Sequence, residues 1–146
     1  MRRNTLLEGA ENALTLSPRL FSLQNHGQTS LAIHRKTSDG VSMSEEKLII
    51  STAASREEAS RIANALVEES LAACVNLTGP IDSVYRWRGK VENAQEFLLL
   101  IKTTSSKSAN TIARLRELHS YEVPEAIALD IEDGSAEYLR WIRESV

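Results

Sequence analysis

From Lys47 onward, apolar residues recur in periods that alternate between short continuous runs and a helical repeat. "KLIISTA" (47–53) is a short, β-branched apolar run and predicts a strand. "SREE" follows, with Ser55 at an N-cap position and Glu58 three residues later, the pattern of a capping box. Beyond it Ala59, Ile62, Ala63, Leu66 and Val67 recur at helical spacing, and Glu57, Glu58, Arg61 and Glu68 take the opposite side. The pattern predicts an amphipathic helix. "LAACVNL" (71–77), bounded by "TGP", predicts a second strand that ends in a turn. "IDSVYRWRGKVENAQEFLLLIKTT" reads as strand, turn and strand, with Arg88, Gly89 and Lys90 at the turn. Residues 108–118 predict a second helix with Ala109, Ile112, Leu115 and Leu118 on one stripe, and "EAIALDI" (125–131) a fourth strand. "DGSAEYLRWIRES" closes the chain as a short helix with Leu139 and Ile142 inward and Tyr138 and Trp141 alongside.

The order β-α-β-β-α-β plus a C-terminal helix is an α+β pattern of the split βαβ or ferredoxin-like kind, with helices covering one face of an antiparallel sheet. "FLLLI" (97–101) is apolar at five consecutive positions, so both faces of that strand are greasy. A two-layer domain exposes one sheet face to water, where such side chains forfeit about 1.5–3 kcal/mol each. Self-association into a homo-oligomer is the economical cover; the terminal helix or the N-terminal segment is the alternative.

Residues 1–42 show little periodicity and are rich in Asn, Ser, Thr and Gln. They carry five basic and three acidic residues (+2), against twelve basic and seventeen acidic (−5) in the remainder. Neither a signal h-region nor a transit-peptide composition is evident. The segment reads as a poorly structured extension, or as a stretch upstream of a true start at Met43, leaving 43–146 as the compact domain.

Composition narrows the function. The chain has 146 residues, 42% hydrophobic and 25% charged, as an ordinary globular domain does. A net charge of −3 argues against nucleic acid as a partner, and no apolar run reaches the ~18–20 residues of a membrane span. Cys74 is the only cysteine, which points to a reducing, cytoplasmic setting, and within its apolar strand it reads as a small buried hydrophobe. The chemistry gathers in "LHSYEVPEAIAL" (118–129). His119 is suited to Cu(II) or Zn(II), oriented through its other nitrogen by a backbone carbonyl or by Glu122; the alternative is a helix C-terminal cap. Glu122 and Glu125 flank Val123 and Pro124, a spacing open to acid/base work, hard-ion binding, or a rigid strand entrance. P-loop, Ser-His-Asp and CxxC patterns are absent, and no catalytic residue is assigned.

"ALVEESLAACVNL", "SVYRWRGKVE", "FLLLIKT", "LHSYEVPEAIAL" and "GSAEYLRWI" occur in family order and resemble the CutA family, named for divalent-cation tolerance. The resemblance implies a ferredoxin-like homotrimer without an enzymatic reaction, serving metal homeostasis and binding copper or another divalent ion, with His119 as ligand. Some members carry a cysteine where this chain has Ser51, a further histidine at Leu118, and a proline at Ser120. Glu125 and Lys102 match family positions, which implies an ion pair beside an intersubunit cleft. A small anionic ligand would meet Lys102 there, between ring walls of Tyr85, Trp87 and Tyr121; the alternative is a structural salt bridge with aromatic packing at the trimer interface. The alternative function is a PII-like signalling module binding a small effector in that cleft. A third reading is a scaffold that presents a surface to a partner protein.

Overall fold

The computed structural model describes residues 44–146, so the expectations for residues 1–42 and for a start at Met43 lie outside the described residues. The elements are β1 (Glu46–Ala53), α1 (Arg56–Glu68), β2 (Cys74–Trp87), β3 (Lys90–Thr104), α2 (Ser105–Leu118), β4 (Ile127–Asp130) and α3 (Ala136–Glu144). The strands form one antiparallel sheet in the order β2-β3-β1-β4, so each helix-linked strand pair, β1 with β2 and β3 with β4, has another strand between its members.

Register divides the side chains into two faces. Ile49, Ile101 and Val75 align across three strands, as do Ser51, Leu99 and Leu77. These meet Ala59, Ile62 and Leu66 of α1 and Leu115 of α2 in the buried core. α1 begins where the capping pattern places it, because the Ser55 side chain accepts the Glu58 N–H at 3.1 Å. Glu58 itself departs from expectation: it is buried, while Val67, expected inward, is exposed. α2 starts at Ser105, three residues before the predicted 108, and buries Thr111 while Ala109 faces solvent. Thr111 is tolerated inside because its hydroxyl lies 2.8 Å from the Leu71 carbonyl, to which Thr103 also donates.

The "TGP" segment does not end β2. The strand runs on to Trp87, and a register shift between Thr78 and Ile81 absorbs one extra residue. Beyond that bulge β2 pairs with Lys90–Glu96 alone, because β1 stops at Ala53 opposite Phe97. The result is a two-stranded arm closed by a tight turn in which Arg88 (φ 47) and Gly89 (φ 83) both take positive φ, as a primed hairpin turn requires. β4 is shorter than the predicted 125–131, since only Ile127–Asp130 pairs with β1.

The second sheet face carries Leu48, Ile50, Leu98 and Leu100. α3 packs on β1 and β3, buries Ile142, and sets Arg143 against Glu46 and Tyr138 beside Cys74, all on this face. The terminal helix thus provides part of the cover. Cys74 is half-buried rather than sealed.

In the core, Ser51 Oγ is the one buried side-chain polar atom without a hydrogen-bond partner among the described residues. Ser51→Ala is therefore expected to raise stability by about 1 kcal/mol in urea unfolding. Leu99→Ala, at a fully buried position of the same face, is expected to cost about 3 kcal/mol.

Candidate functional site

The chain leaves α2 at Leu118 and crosses the end of β1 before entering β4, and this crossing gathers the polar groups of the domain. The His119 side chain is fully buried. Its Nδ1 accepts the Tyr121 N–H at 3.0 Å, which places the ring proton on Nε2, and Nε2 donates to the Thr52 carbonyl at 2.7 Å. Glu58 reaches the same corner from α1: Oε1 accepts the Ser120 N–H at 2.7 Å, and Oε2 accepts the Ala54 N–H at 3.3 Å. Tyr121 lies 4.9 Å from the His119 ring and donates its hydroxyl to Glu96 Oε1 at 2.8 Å. Thr52 Oγ1 lies 3.3 Å from the same oxygen. Glu96 is almost entirely buried.

These contacts set the acidities. Burial pushes the Glu58 carboxyl up, but the N–H donors of Ser120 and Ala54 outweigh it and hold the group below its ordinary value. Burial, then the Glu96 carboxylate, push the Tyr121 phenol well above its ordinary value, and nearby Tyr85 adds to the shift.

The imidazole of His119, the candidate metal ligand, is fully engaged in this geometry. Its two ring nitrogens already serve the Thr52 carbonyl and the Tyr121 N–H, so a metal ion binds there only by displacing one of these bonds. Its orienting groups come from β1 and the corner backbone. Glu122 instead faces Arg88 at 3.5 Å on the surface. His119 is the C-cap residue of α2, and its ring shapes the turn by accepting the Tyr121 N–H, while the Leu118 carbonyl is taken by Arg61 at 2.8 Å. Among the described residues, no group of three or more His, Cys, Asp or Glu side chains is arranged to hold a metal ion. Ser51 faces the core, away from solvent, and Cys74 aligns with Lys102 and Leu48, about four strand residues from Thr52.

The five expected cleft residues do not converge within one chain. Tyr121 meets Glu96 at the root of the arm, and Tyr85 and Trp87 lie farther out along it, opposite Glu92 and Lys90. Lys102 is six positions along β3 from Glu96, about 20 Å away, and its ammonium bonds Asn76 and the Leu100 carbonyl at 3.2 Å. No Lys102–Glu125 ion pair forms among the described residues. Sequence reasoning missed Glu58, Glu96 and Thr52. Glu58 reads from the sequence as a capping-box residue on the polar side of its helix, and a glutamate before an apolar run carries no local sign that a tyrosine twenty-five residues away will reach it.

A protein-family model described as "CutA1 divalent ion tolerance protein" matches residues 47–145. The "Divalent-cation tolerance protein CutA" of Thermus thermophilus is 49% identical over 100 residues, 68% of this chain and 97% of that one. The human "Protein CutA" is 46% identical over 93 residues, and there the match spans 52% of the relative's length. Among solved structures, the Thermus thermophilus protein superimposes with a TM-score of 0.68 at 48% identity, covering 69% of this chain and 98% of that one. CutA1 from Oryza sativa gives 0.68 at 38% identity, covering 71% and 95%.

The acidities give a pH signature. Glu58 contributes stability above its ordinary value near 4.5, and that contribution is lost as pH falls through the lower folded value. Tyr121 contributes below an ordinary value of 10.0 and loses this as pH rises through its raised folded value. Urea unfolding of Glu58→Gln against pH is expected to show a weaker dependence on the acid side than the parent, with the alkaline limb unchanged. Tyr121→Phe is expected to flatten the alkaline limb instead.

Proposed function

The chain belongs to the CutA1 divalent ion tolerance family, and from that premise we propose that it acts in divalent-cation homeostasis as a homotrimer of ferredoxin-like domains. The observation that supports assembly is the arm. A two-stranded ribbon is marginal in water by itself. This one leaves Val84 at 67% and Val91 at 60% exposed as diagonal neighbours on one side, with Tyr85 and Trp87 on the other. At the far edge of the sheet, Ile127 and Leu129 of β4 are also half exposed. Exposed valines of this kind are buried by association, and the valine side of the arm, where they sit among Asn93 and Arg86, is the surface we assign to a second copy.

Cation binding, whether of Cu(II) or another divalent ion, does not start from a preformed imidazole centre in this reading, because His119 is committed to the fold. A PII-like effector cleft is favoured by one observation. Lys102 and the aromatic group lie at different ends of β3, so residues from two copies are needed to bring Lys102 to those rings, although within one chain Arg88 lies 5.7 Å from the Trp87 ring centroid.

Light scattering of the purified chain is expected to give the mass of a trimer, and the double variant Val84→Glu, Val91→Glu to give a monomer; a parent monomer would refute the assembly. Cu(II) titration of the full chain carrying His26→Ala and His34→Ala is expected to be unchanged by adding His119→Gln. A tight site lost with that substitution would restore the imidazole centre.

A further inference from the structure

The turn that closes the arm holds a residue its backbone does not favour. Arg88 is the first of the two turn residues, with φ 47 in the left-handed region. Asn before Gly is the preferred pair there, because a longer side chain crowds its own backbone. The turn makes no use of the Arg88 side chain. It is Arg86, one step back along the strand, whose Nη1 donates to the Gly89 carbonyl at 3.1 Å. The Arg88 guanidinium serves two other groups: its central carbon lies 5.7 Å from the Trp87 ring centroid, and its Nη2 lies 3.5 Å from Glu122 Oε2.

Glu122 follows Tyr121, whose hydroxyl holds Glu96 at the root of the arm. Two consecutive residues of the corner thus grip the arm at its two ends, and the grips differ in kind. The first is a bond to a nearly buried carboxylate. The second joins two largely exposed side chains, and an exposed pair is weak and screened by added salt. Between Phe97 and the turn the arm has no third strand, so the position of its turn relative to the corner is left to the second grip.

We propose that Arg88, seated between the Trp87 ring and the Glu122 carboxylate, is an ionic clasp that sets the inclination of the arm against the corner and releases it as ionic strength rises. The unfavoured backbone at Arg88 is retained because only a long cation at the turn reaches both partners. Val84 and Val91 ride on the same arm, so the clasp also governs how they are presented; that consequence alone rests on the proposed assembly.

The test is acrylamide quenching of Trp87 fluorescence in the full-length protein carrying Trp141→Phe, which leaves Trp87 as the only tryptophan. The quenching constant is read from about 0.01 M to about 1 M NaCl, over which the Debye length falls from about 30 Å to about 3 Å. It is expected to rise with salt. Glu122→Gln, which does not touch the ring, is expected to show the parent's high-salt value already at low salt and to lose the salt response. Arg88→Asn is expected to lose the response as well, without a lower urea midpoint, because Asn suits the positive φ. Combining the two substitutions is expected to add nothing to either. A parent without a salt response, or a response that survives in Glu122→Gln, would overturn the clasp. Should Trp141→Phe fail to fold, the same comparison with both tryptophans present decides, since Trp141 lies on α3, where it faces Tyr138. Light scattering on the same samples separates the clasp from assembly. Quenching that follows the oligomeric mass instead of the salt concentration would overturn the clasp, and a monomer that keeps the salt response would refute the assembly and leave the clasp standing.

Discussion

The length of β1 governs much of this molecule. β1 stops at Ala53 because Ser55 turns the chain into α1 by capping its first turn. β3 has no such stop and continues past Phe97, so its remaining residues keep one neighbour, β2, and lose the other. A capping event a few residues long thereby creates an arm with two solvent-facing sides and an unoccupied space beside the end of β1. The segment from His119 to Tyr121 fills that space.

Filling it requires polar groups to enter the protein, and each enters with partners. The Thr52 carbonyl, beyond the reach of β4, receives His119 Nε2; the backbone N–H groups of Ser120 and Tyr121 are received by Glu58 and by His119 Nδ1. Removing any one member strands its partners in a place with little water, at about 1–3 kcal/mol for each orphaned group. The histidine most attractive as a metal ligand is therefore a structural element, held in one tautomer by two backbone groups. This is compatible with membership of a cation-tolerance family, because a family description fixes no ligand set.

The arm gives the proposed function its physical basis. A ribbon with valines on one side and aromatic rings with a carboxylate on the other presents two unlike surfaces on one small element. The first sets two exposed valines among Asn93, Arg86 and Asp82 and suits another copy. The second has the nearly buried Glu96 carboxylate at its root and the half-exposed rings of Tyr85 and Trp87 farther out, with Arg88 over the Trp87 ring. Their separation follows from the period-two alternation of the strands, which sends Val84 and Tyr85 to opposite sides.

Element type and order were legible because each rests on a local pattern: the 3.6-residue repeat after Ser55, the β-branched run at 47–53, the Arg88–Gly89 turn. Both-sided greasiness in "FLLLI" likewise announced a sheet face that α3 partly covers. What could not be read were the events set by residues far apart in the chain. Glu58 looks like a solvent-facing helix residue until Ser120, sixty-two positions later, brings an N–H to it. "TGP" looks like a turn until pairing with β3 on both sides makes it a bulge. Lys102 and Tyr121 look like parts of one cleft until the sheet register sets them about 20 Å apart. The sequence by itself determined the elements, the apolar faces and the family, since these depend on periodicity and on motifs in fixed order. Only the tertiary structure decided which polar side chains are buried and which remain free, because burial and hydrogen-bond partnership depend on contacts between distant residues.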